Sequence, residues 1–287
     1  MAQALLRKYG LRLLKAFGRD IRISHHWVAG QKIRLHSFKH KGYWWHGRNR
    51  EHDAMETVAR LLRSGDIVIE VGAHIGYLTT YFAHLVGSKG QVLTFEPSDE
   101  NAGYLVDNVR DLAWVTIDRH GVADFIGTAK FFVESITGQN NSLYADYAVF
   151  DENAKNAGLK AERTEMSIEV TTIDRTVAER GIAPNFVKID IEGAELDALR
   201  GMTETLKKCQ PVVFIEITKN TAECFALFAA ANYVALDEQL NPTEEFIDSG
   251  SGGKRLATGN FFFVPQNYDR LGGPFNTRLA SSHSPPT

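Results

Sequence analysis

The run Ile67-Val68-Ile69-Glu70-Val71-Gly72-Ala73-His74-Ile75-Gly76 combines an acid, two glycines and an apolar frame at a spacing that suits ligand chemistry. Four apolar residues around one acid read as a buried strand, and Tyr77 to Val86 continues with helical spacing. Between them, Gly72 and Gly76 lack the Cβ that would bar close backbone approach. Strand, glycine turn and helix in this order form a nucleotide-cofactor cradle. Glu70 decides the cofactor, because an acid at this turn repels the pyrophosphate of a dinucleotide. A cationic ligand is favoured, and S-adenosylmethionine offers an amino group and a sulfonium that a carboxylate here would hold directly or through water. The turn thus nominates Glu70, Gly72, Ala73, His74, Gly76 and Tyr77 as cofactor-binding residues.

A second acid, Glu96, closes the apolar run Val92-Leu93-Thr94-Phe95 and is followed by Pro97 and Ser98. Its distance from Glu70 matches the place where such folds put an acid on the ribose hydroxyls, so Glu96, Pro97 and Ser98 join the cofactor set. Farther along, Phe186-Val187-Lys188-Ile189-Asp190-Ile191-Glu192-Gly193-Ala194-Glu195 interleaves charges with apolar residues. Alternation puts Lys188, Asp190 and Glu192 on one side. Charges on a central strand are costly unless they sit at its open carboxyl end, where ligands bind, which places Asp190 at the mouth. Glu216, ending Val212-Val213-Phe214-Ile215, would lie beside it. Methyl transfer is an in-line displacement in which the enzyme aligns a nucleophile and removes its proton. Asp190 is the first candidate for that base, with Glu192 and Glu216 as rivals. The competing reading has Asp190 touching only cofactor or Lys188, while Glu192 and Glu195 cap the following helix.

These residues need a sheet to hold them. Strand candidates at 67–71, 91–96, 114–118, 186–190, 212–217, 233–236 and 261–264 alternate with helical patterns, as in a parallel, doubly wound α/β sheet. Within 129–172, Lys130 to Glu134 and Ser167 to Val170 read as an antiparallel pair around a polar insertion, Gly138 to Thr164, expected to act as a lid. The first two dozen residues read as a basic amphipathic helix, for which docking on the domain and contact with an anionic membrane surface both remain open. Lys32 to Lys39 alternates like a strand, Tyr43-Trp44-Trp45 reads as an aromatic anchor of the cap, and His52 to Leu62 as a helix. Histidines 36, 40, 46 and 52 are expected on the surface. The expected organisation is a cap over 1–47, a domain over 48–268 and a tail over 269–287.

The order IEVGAHIG, TFEP, KIDIEGAE and FIEI resembles the FkbM family of S-adenosylmethionine-dependent methyltransferases across roughly residues 48 to 265. Asn101, Asn108, Gly121-Val122-Ala123, Asn141-Ser142-Leu143 and Thr172-Ile173-Asp174 also look like family positions, and Asn101, Gly121, Val122 and Ala123 thereby enter the cofactor set. His74 departs from the family, which usually has asparagine there. The resemblance implies a class I methyltransferase fold (Rossmann-like), a seven-stranded, mostly parallel sheet with helices on both faces and an antiparallel last strand. It also implies methyl transfer mainly to hydroxyl oxygens of sugars or polyketide-type molecules. The chain has no Asp-Pro-Pro-Tyr type of motif after Asp190, which agrees with an oxygen nucleophile. Some sugar O-methyltransferases hold magnesium with acids at these strand ends, so Asp190 and Glu216 form an alternative metal pair lacking an evident third ligand.

Composition narrows the partners. Across 287 residues the net charge is −3, which gives no global basic field for nucleic acid. Two cysteines, Cys209 and Cys224, build no disulfide framework and no zinc spacing. No apolar run approaches the roughly 18 residues of a membrane span, and no secretory signal is read at the N-terminus. The expectation is a cytoplasmic enzyme, membrane-peripheral or homo-oligomeric through its N-terminal helix, acting on a small molecule or glycan. A protein or nucleic-acid acceptor, or a catalytically silent binding module, are the alternatives.

Overall fold

A computed structural model describes residues 14–134, 138–145, 163–248 and 254–270. After a helical turn at residues 14–16, the described part of the chain forms a hairpin of β1 (Asp20–Ser24) and β2 (Lys32–His36), followed by helices α1 (Lys41–His46) and α2 (His52–Leu61). The first βα units are β3 (Ile67–Val71), α3 (Tyr77–Val86), β4 (Gln91–Phe95), α4 (Asp99–Val109) and β5 (Val115–Asp118). Next come β6 (Gly121–Val122), β7 (Gly127–Glu134), β8 (Arg163–Thr171) and α5 (Ile173–Arg180). The second half holds β9 (Phe186–Ile189), α6 (Glu195–Arg200), α7 (Thr203–Lys208), β10 (Val212–Ile217), α8 (Thr221–Ala230) and β11 (Tyr233–Leu236). It closes with β12 (Phe246–Asp248), β13 (Lys254–Leu256) and β14 (Gly259–Pro265).

Seven strands share one sheet in the order β11-β14-β10-β9-β3-β4-β5, parallel except for β14, which runs against both neighbours. The apolar strand runs are buried on both faces, as a parallel sheet requires. Val68, Val92, Phe186, Val212 and Phe214 pack toward α2 and α3, in one core with Met55, Val58 and Phe82. Ile69, Leu93, Val187, Val213 and Ile215 face the other way, in a core with Leu199, Leu206 and Phe228. This alternation also assigns the charges, since Glu70 and Lys188 share the parity of Val68 and Phe186. Both therefore lie on the α3 side, opposite one another in register.

β7 and β8 form the expected antiparallel pair, with Lys130 opposite Ser167, and β6 joins β8 in the same small sheet. Of the expected lid, residues 146–162 lie outside the described residues, while 138–145 return along β7 through a bridge between Phe132 and Ser142.

The expected N-terminal helix needs correction at its end: residues 14–16 are helical, but the helix does not run through the first two dozen residues. Residues 1–13 lie outside the described residues, but Asp20–Ser24 is a strand paired with Lys32–His36. Its alternation of isoleucines with polar residues suits a pleated hairpin, not the end of a helix. The hairpin is bolted to α4. Arg34 bridges Asp20 and Asp107 at 2.5 Å each, and Tyr104 donates to Asp20 at 2.7 Å. Asn108 accepts from the Arg34 N–H at 2.7 Å and donates to the Ile75 carbonyl at 2.7 Å, tying β2 to the turn before α3. Among the described residues, no helix is long and apolar enough to cross a membrane.

Candidate cofactor and acceptor clefts

The turn after β3 is built by backbone. The N–H groups of Gly72 and Ala73 both donate to the Phe95 carbonyl at 3.1 Å, holding the turn against the end of β4. Gly72 has φ +85°, and a Cβ there would stand 1.9 Å from the Asp190 carbonyl oxygen. His74 also sits in the left-handed region, at φ +52°, where asparagine, aspartate and histidine are the side chains best tolerated. That restriction gives a physical reason for an imidazole at a position where the resemblance leads one to expect asparagine.

Glu96 is buried at the mouth of β4 and locks the turn to α4. Its Oε2 accepts from the His74 N–H at 2.8 Å, and its Oε1 from the Ser98 N–H at 3.0 Å and Asn101 Nδ2 at 3.4 Å. Ser98 caps α4 by accepting from the Asn101 N–H, and Asn101 Nδ2 also donates to the Gly138 carbonyl at 3.0 Å. Asn101 thus connects the acid to the strap over residues 138–145.

Glu70 lies deeper than the sequence suggested. It is fully buried, between Thr94 on β4 and Lys188 on β9, and its Oε2 accepts from Thr79 Oγ1 at 2.6 Å and Thr94 Oγ1 at 2.9 Å. Lys188 Nζ donates to the Gly72 carbonyl at 2.7 Å and pairs with Asp190 Oδ2 at 3.2 Å. Burial works against the Lys188 charge, but the Asp190 and Glu70 carboxylates outweigh it and raise its pKa. One buried ammonium therefore links the cofactor turn, the acid beneath it and the candidate base.

Around these groups opens a cleft of about 930 Å3, bounded by Gly72, His74, Glu96, Gly121, Val122, Phe131, Ile168 and Asp190. A second opening of about 950 Å3, lined by Lys188, Asp190, Phe214, Glu216, Thr218 and Asn260, meets it at Asp190, Glu192 and Glu216. Behind the turn, a recess of about 420 Å3 touches Glu70, Ala73, Tyr77 and Lys188. Of the sequence-nominated residues, Gly72, His74, Glu96, Pro97, Asn101, Gly121, Val122, Asp190, Glu192 and Glu216 line the main cleft. Glu70, Ala73 and Tyr77 line only the recess. Gly76, Ser98 and Ala123 line none of the three and serve the frame: a Cβ on Gly76 would meet Leu105 Cδ1 at 2.7 Å.

At the junction, Glu216 lies beside Asp190, and burial followed by the charges of Asp190 and Glu195 pushes its pKa up to about 8. Glu192 stands at φ +55°, with its carbonyl accepting from Ser142 Oγ at 2.7 Å. Glu195 opens α6, where its Oε1 accepts from the Gly193 N–H at 2.8 Å, so this acid holds the loop end. Among the described residues, no group of three or more His, Cys, Asp or Glu side chains is placed to hold a metal ion, so the Asp190–Glu216 magnesium pair gains no third ligand.

Four more residues shape the site; of these the sequence pattern places Tyr43 as an anchor of the cap and His40 on the surface, and does not nominate Arg50 or Glu51. Tyr43 is buried on the cleft wall, 3.2 Å from His74 Nδ1 through its hydroxyl, beside the cleft residues Arg50 and Glu51. His40, expected on the surface, is buried edge-on to the rings of His74 and Tyr104, 5.0 Å from each. Burial lowers its pKa to about 2, and its Nδ1 accepts from the His36 N–H at 2.9 Å. Its spacing from neighbouring histidines carried no periodic signal of burial.

The shifted carboxyls make stability depend on pH. Burial raises Glu96 and Glu195 to about 7 and Glu216 to about 8, from an ordinary value of 4.5. The folded protein therefore binds more protons than the unfolded chain between these values, and stability falls as pH rises through that window. Buried His25 and His40, lowered to about 4 and about 2, act in the opposite sense, but only below their ordinary 6.5. The melting temperature of the ligand-free protein should thus decline from pH 6.5 to 8, and Glu216→Gln should flatten the decline above pH 7. Scanning fluorimetry across this range checks it; equal slopes for parent and variant would refute the Glu216 assignment.

Known proteins similar to this chain point to one family. Residues 70–239, more than half of the chain, match the family model described as the methyltransferase FkbM domain. The chain is 25% identical over 202 residues to the hexuronic acid methyltransferase AglP of Haloferax volcanii, covering 69% of this chain and 75% of that protein. It is 29% identical over 161 residues to the 31-O-demethyl-FK506 methyltransferase FkbM of Streptomyces tacrolimicus, covering 50% of this chain and 62% of that one. The crystal structure of a methyltransferase FkbM from Methylobacillus flagellatus aligns at a TM-score of 0.42 and 17% identity, over 77% of this chain and 60% of that one. With its glycine turn, the acid at the mouth of β4 and the family match running through both, the chain belongs to the FkbM family of S-adenosylmethionine-dependent methyltransferases.

Proposed function

We propose that this methyltransferase acts on a hydroxyl oxygen of a sugar, glycan or polyketide-type acceptor, with Asp190 as the base. The observation that carries this reading is the place of Asp190 where the two clefts meet, held by Lys188 at 3.2 Å and beside Glu216. The donor set of the main cleft fits the cofactor, since a ligand carrying an ammonium and a sulfonium meets carboxylates rather than a phosphate-binding nest, and Gly72 leaves backbone where a Cβ would fill the cradle. Glu96 would receive the ribose hydroxyls through the lone pairs left by His74, Ser98 and Asn101. When bound, S-adenosylmethionine supplies an electrophilic methyl on a sulfonium, which is displaced in line.

The protein's own work is then alignment and proton removal. Asp190 accepts the hydroxyl proton as the oxygen approaches the methyl carbon, and Lys188 fixes the carboxylate against the turn that sets the cofactor's position. Glu216, protonated around neutrality, limits the negative charge of the mouth. Glu192 lines both clefts and is the alternative acid toward the acceptor. The names of the two relatives, one acting on a hexuronic acid and one on a demethylated FK506, support sugar-like or polyketide acceptors. A nucleic-acid acceptor is disfavoured, because Glu51, Asp190 and Glu192 would face its phosphates.

Incubating the protein with methyl-labelled S-adenosylmethionine and parallel pools of glycans, polyketides, protein and RNA tests this reading. Label is expected in the glycan or polyketide pool; label in protein or RNA alone would overturn it.

A further inference from the structure

Arg50 stands where all three openings meet, lining the main cleft, the second opening and the recess behind the turn. It follows a single helical turn, Gly47–Asn49, and its N–H returns to the Gly47 carbonyl. The guanidinium is held on three sides. Its Nε lies 3.1 Å from Glu51 Oε1, its Cζ stands 4.5 Å over the Tyr43 ring, and Nη1 lies so close to Gly42 that a Cβ there would come within 2.5 Å. Yet neither Nη1 nor Nη2 has a protein hydrogen-bond partner among the described residues. The side chain is only 27% exposed, so what remains of it faces the clefts.

This matters because the surroundings are acidic and the neighbouring cation, the Lys188 ammonium, is occupied. Lys188 is engaged by the Gly72 carbonyl and Asp190. A planar guanidinium with two terminal nitrogens available suits bidentate binding of a carboxylate. We infer that Arg50 is the carboxylate-binding group of this site, receiving an anionic ligand group through Nη1 and Nη2. Two sources share that chemistry. The cofactor carries an α-carboxylate at the end opposite its ribose, and Glu96 lines only the main cleft whereas Arg50 lines all three openings. The neighbouring Glu51 adds a negative charge for the adjacent amino group, which favours this source. The other source is an acidic acceptor in the second opening. The inference rests on the methyltransferase reading and on Glu96 as the ribose end.

Calorimetry on the full chain compares the parent with Arg50→Met, using S-adenosylmethionine, 5′-methylthioadenosine, which lacks the amino-acid end, and glucuronate added to the cofactor-loaded protein. Weakening of S-adenosylmethionine by roughly 10-fold to 100-fold, as for loss of a charged hydrogen-bond pair, with methylthioadenosine unchanged, assigns Arg50 to the cofactor carboxylate. Unchanged cofactor affinity with loss of glucuronate binding assigns it to the acceptor. Arg50→Lys, which keeps the charge without the fork, should fall between parent and Met. Equal binding of all three probes by parent and Arg50→Met overturns the inference. Failure of the parent to bind methylthioadenosine removes the cofactor reading and the inference with it, and retained methylthioadenosine binding by the variant shows that it is folded.

Discussion

Asp190→Asn is expected to lower turnover by roughly 10²-fold to 10⁴-fold, the range for loss of a general base, while S-adenosylmethionine affinity stays within a few-fold of the parent. The amide keeps the size of the carboxylate, and the Asp190 N–H still donates to the Val71 carbonyl at 3.1 Å, so the end of β9 should hold. What disappears is the proton acceptor at the point where the clefts join. The same substitution removes the ion pair with Lys188, whose remaining contacts are the Gly72 carbonyl and the Glu70 charge. If Asp190 only positions the cofactor, affinity and turnover should fall together, and isothermal titration beside steady-state rates separates the two cases. Normal turnover by Asp190→Asn would move the base to Glu192 or Glu216.

A second large effect is expected at the turn. Gly72→Val should weaken cofactor binding by at least about 100-fold, beyond one lost charged hydrogen bond, and lower the melting temperature as well. Its Cβ would fall 1.9 Å from the Asp190 carbonyl oxygen, and backbone cannot yield as a flexible side chain does. A branched residue at φ +85° also carries a backbone cost of about 1–3 kcal/mol. Gly103→Ala is the matched control. It lies in α4 with nothing within 4 Å of the added Cβ, so it should be neutral or add about 0.4–1 kcal/mol of stability. Calorimetry and thermal melts of the pair check this, and parent-like binding by Gly72→Val would mean that the cradle lies elsewhere.

The sheet was readable because its strands are short apolar runs ended by acids, glycine or proline. Ile67–Val71, Val212–Ile217 and Tyr233–Leu236 occupy the expected ranges, and the antiparallel last strand starts at Gly259, before the expected 261. Thr172 and Asp174 were noticed as family positions, and their reason is local: Thr172 caps α5, and Asp174 accepts from the N–H groups of Glu204 and Thr205 at the start of α7. What local pattern could not convey is which way an acid points once strands are paired. Glu70 and Glu96 each follow an apolar run, yet Glu70 is enclosed by Thr79, Thr94 and Lys188 while Glu96 lines the cleft. The cap was harder still, because Tyr43, Arg50 and His40 acquire their roles from docking against His74 and the turn, contacts made across the fold.

Oxygen methylation dependent on Asp190 is most directly tested by following carbon-13 from methyl-labelled S-adenosylmethionine into the product of the parent and of Asp190→Asn at equal cofactor occupancy. The parent should yield a methyl resonance bonded to oxygen, and Asp190→Asn should yield the same resonance roughly 10²-fold or more slowly. A methyl bonded to nitrogen or carbon, or an equal rate from the variant, would contradict it.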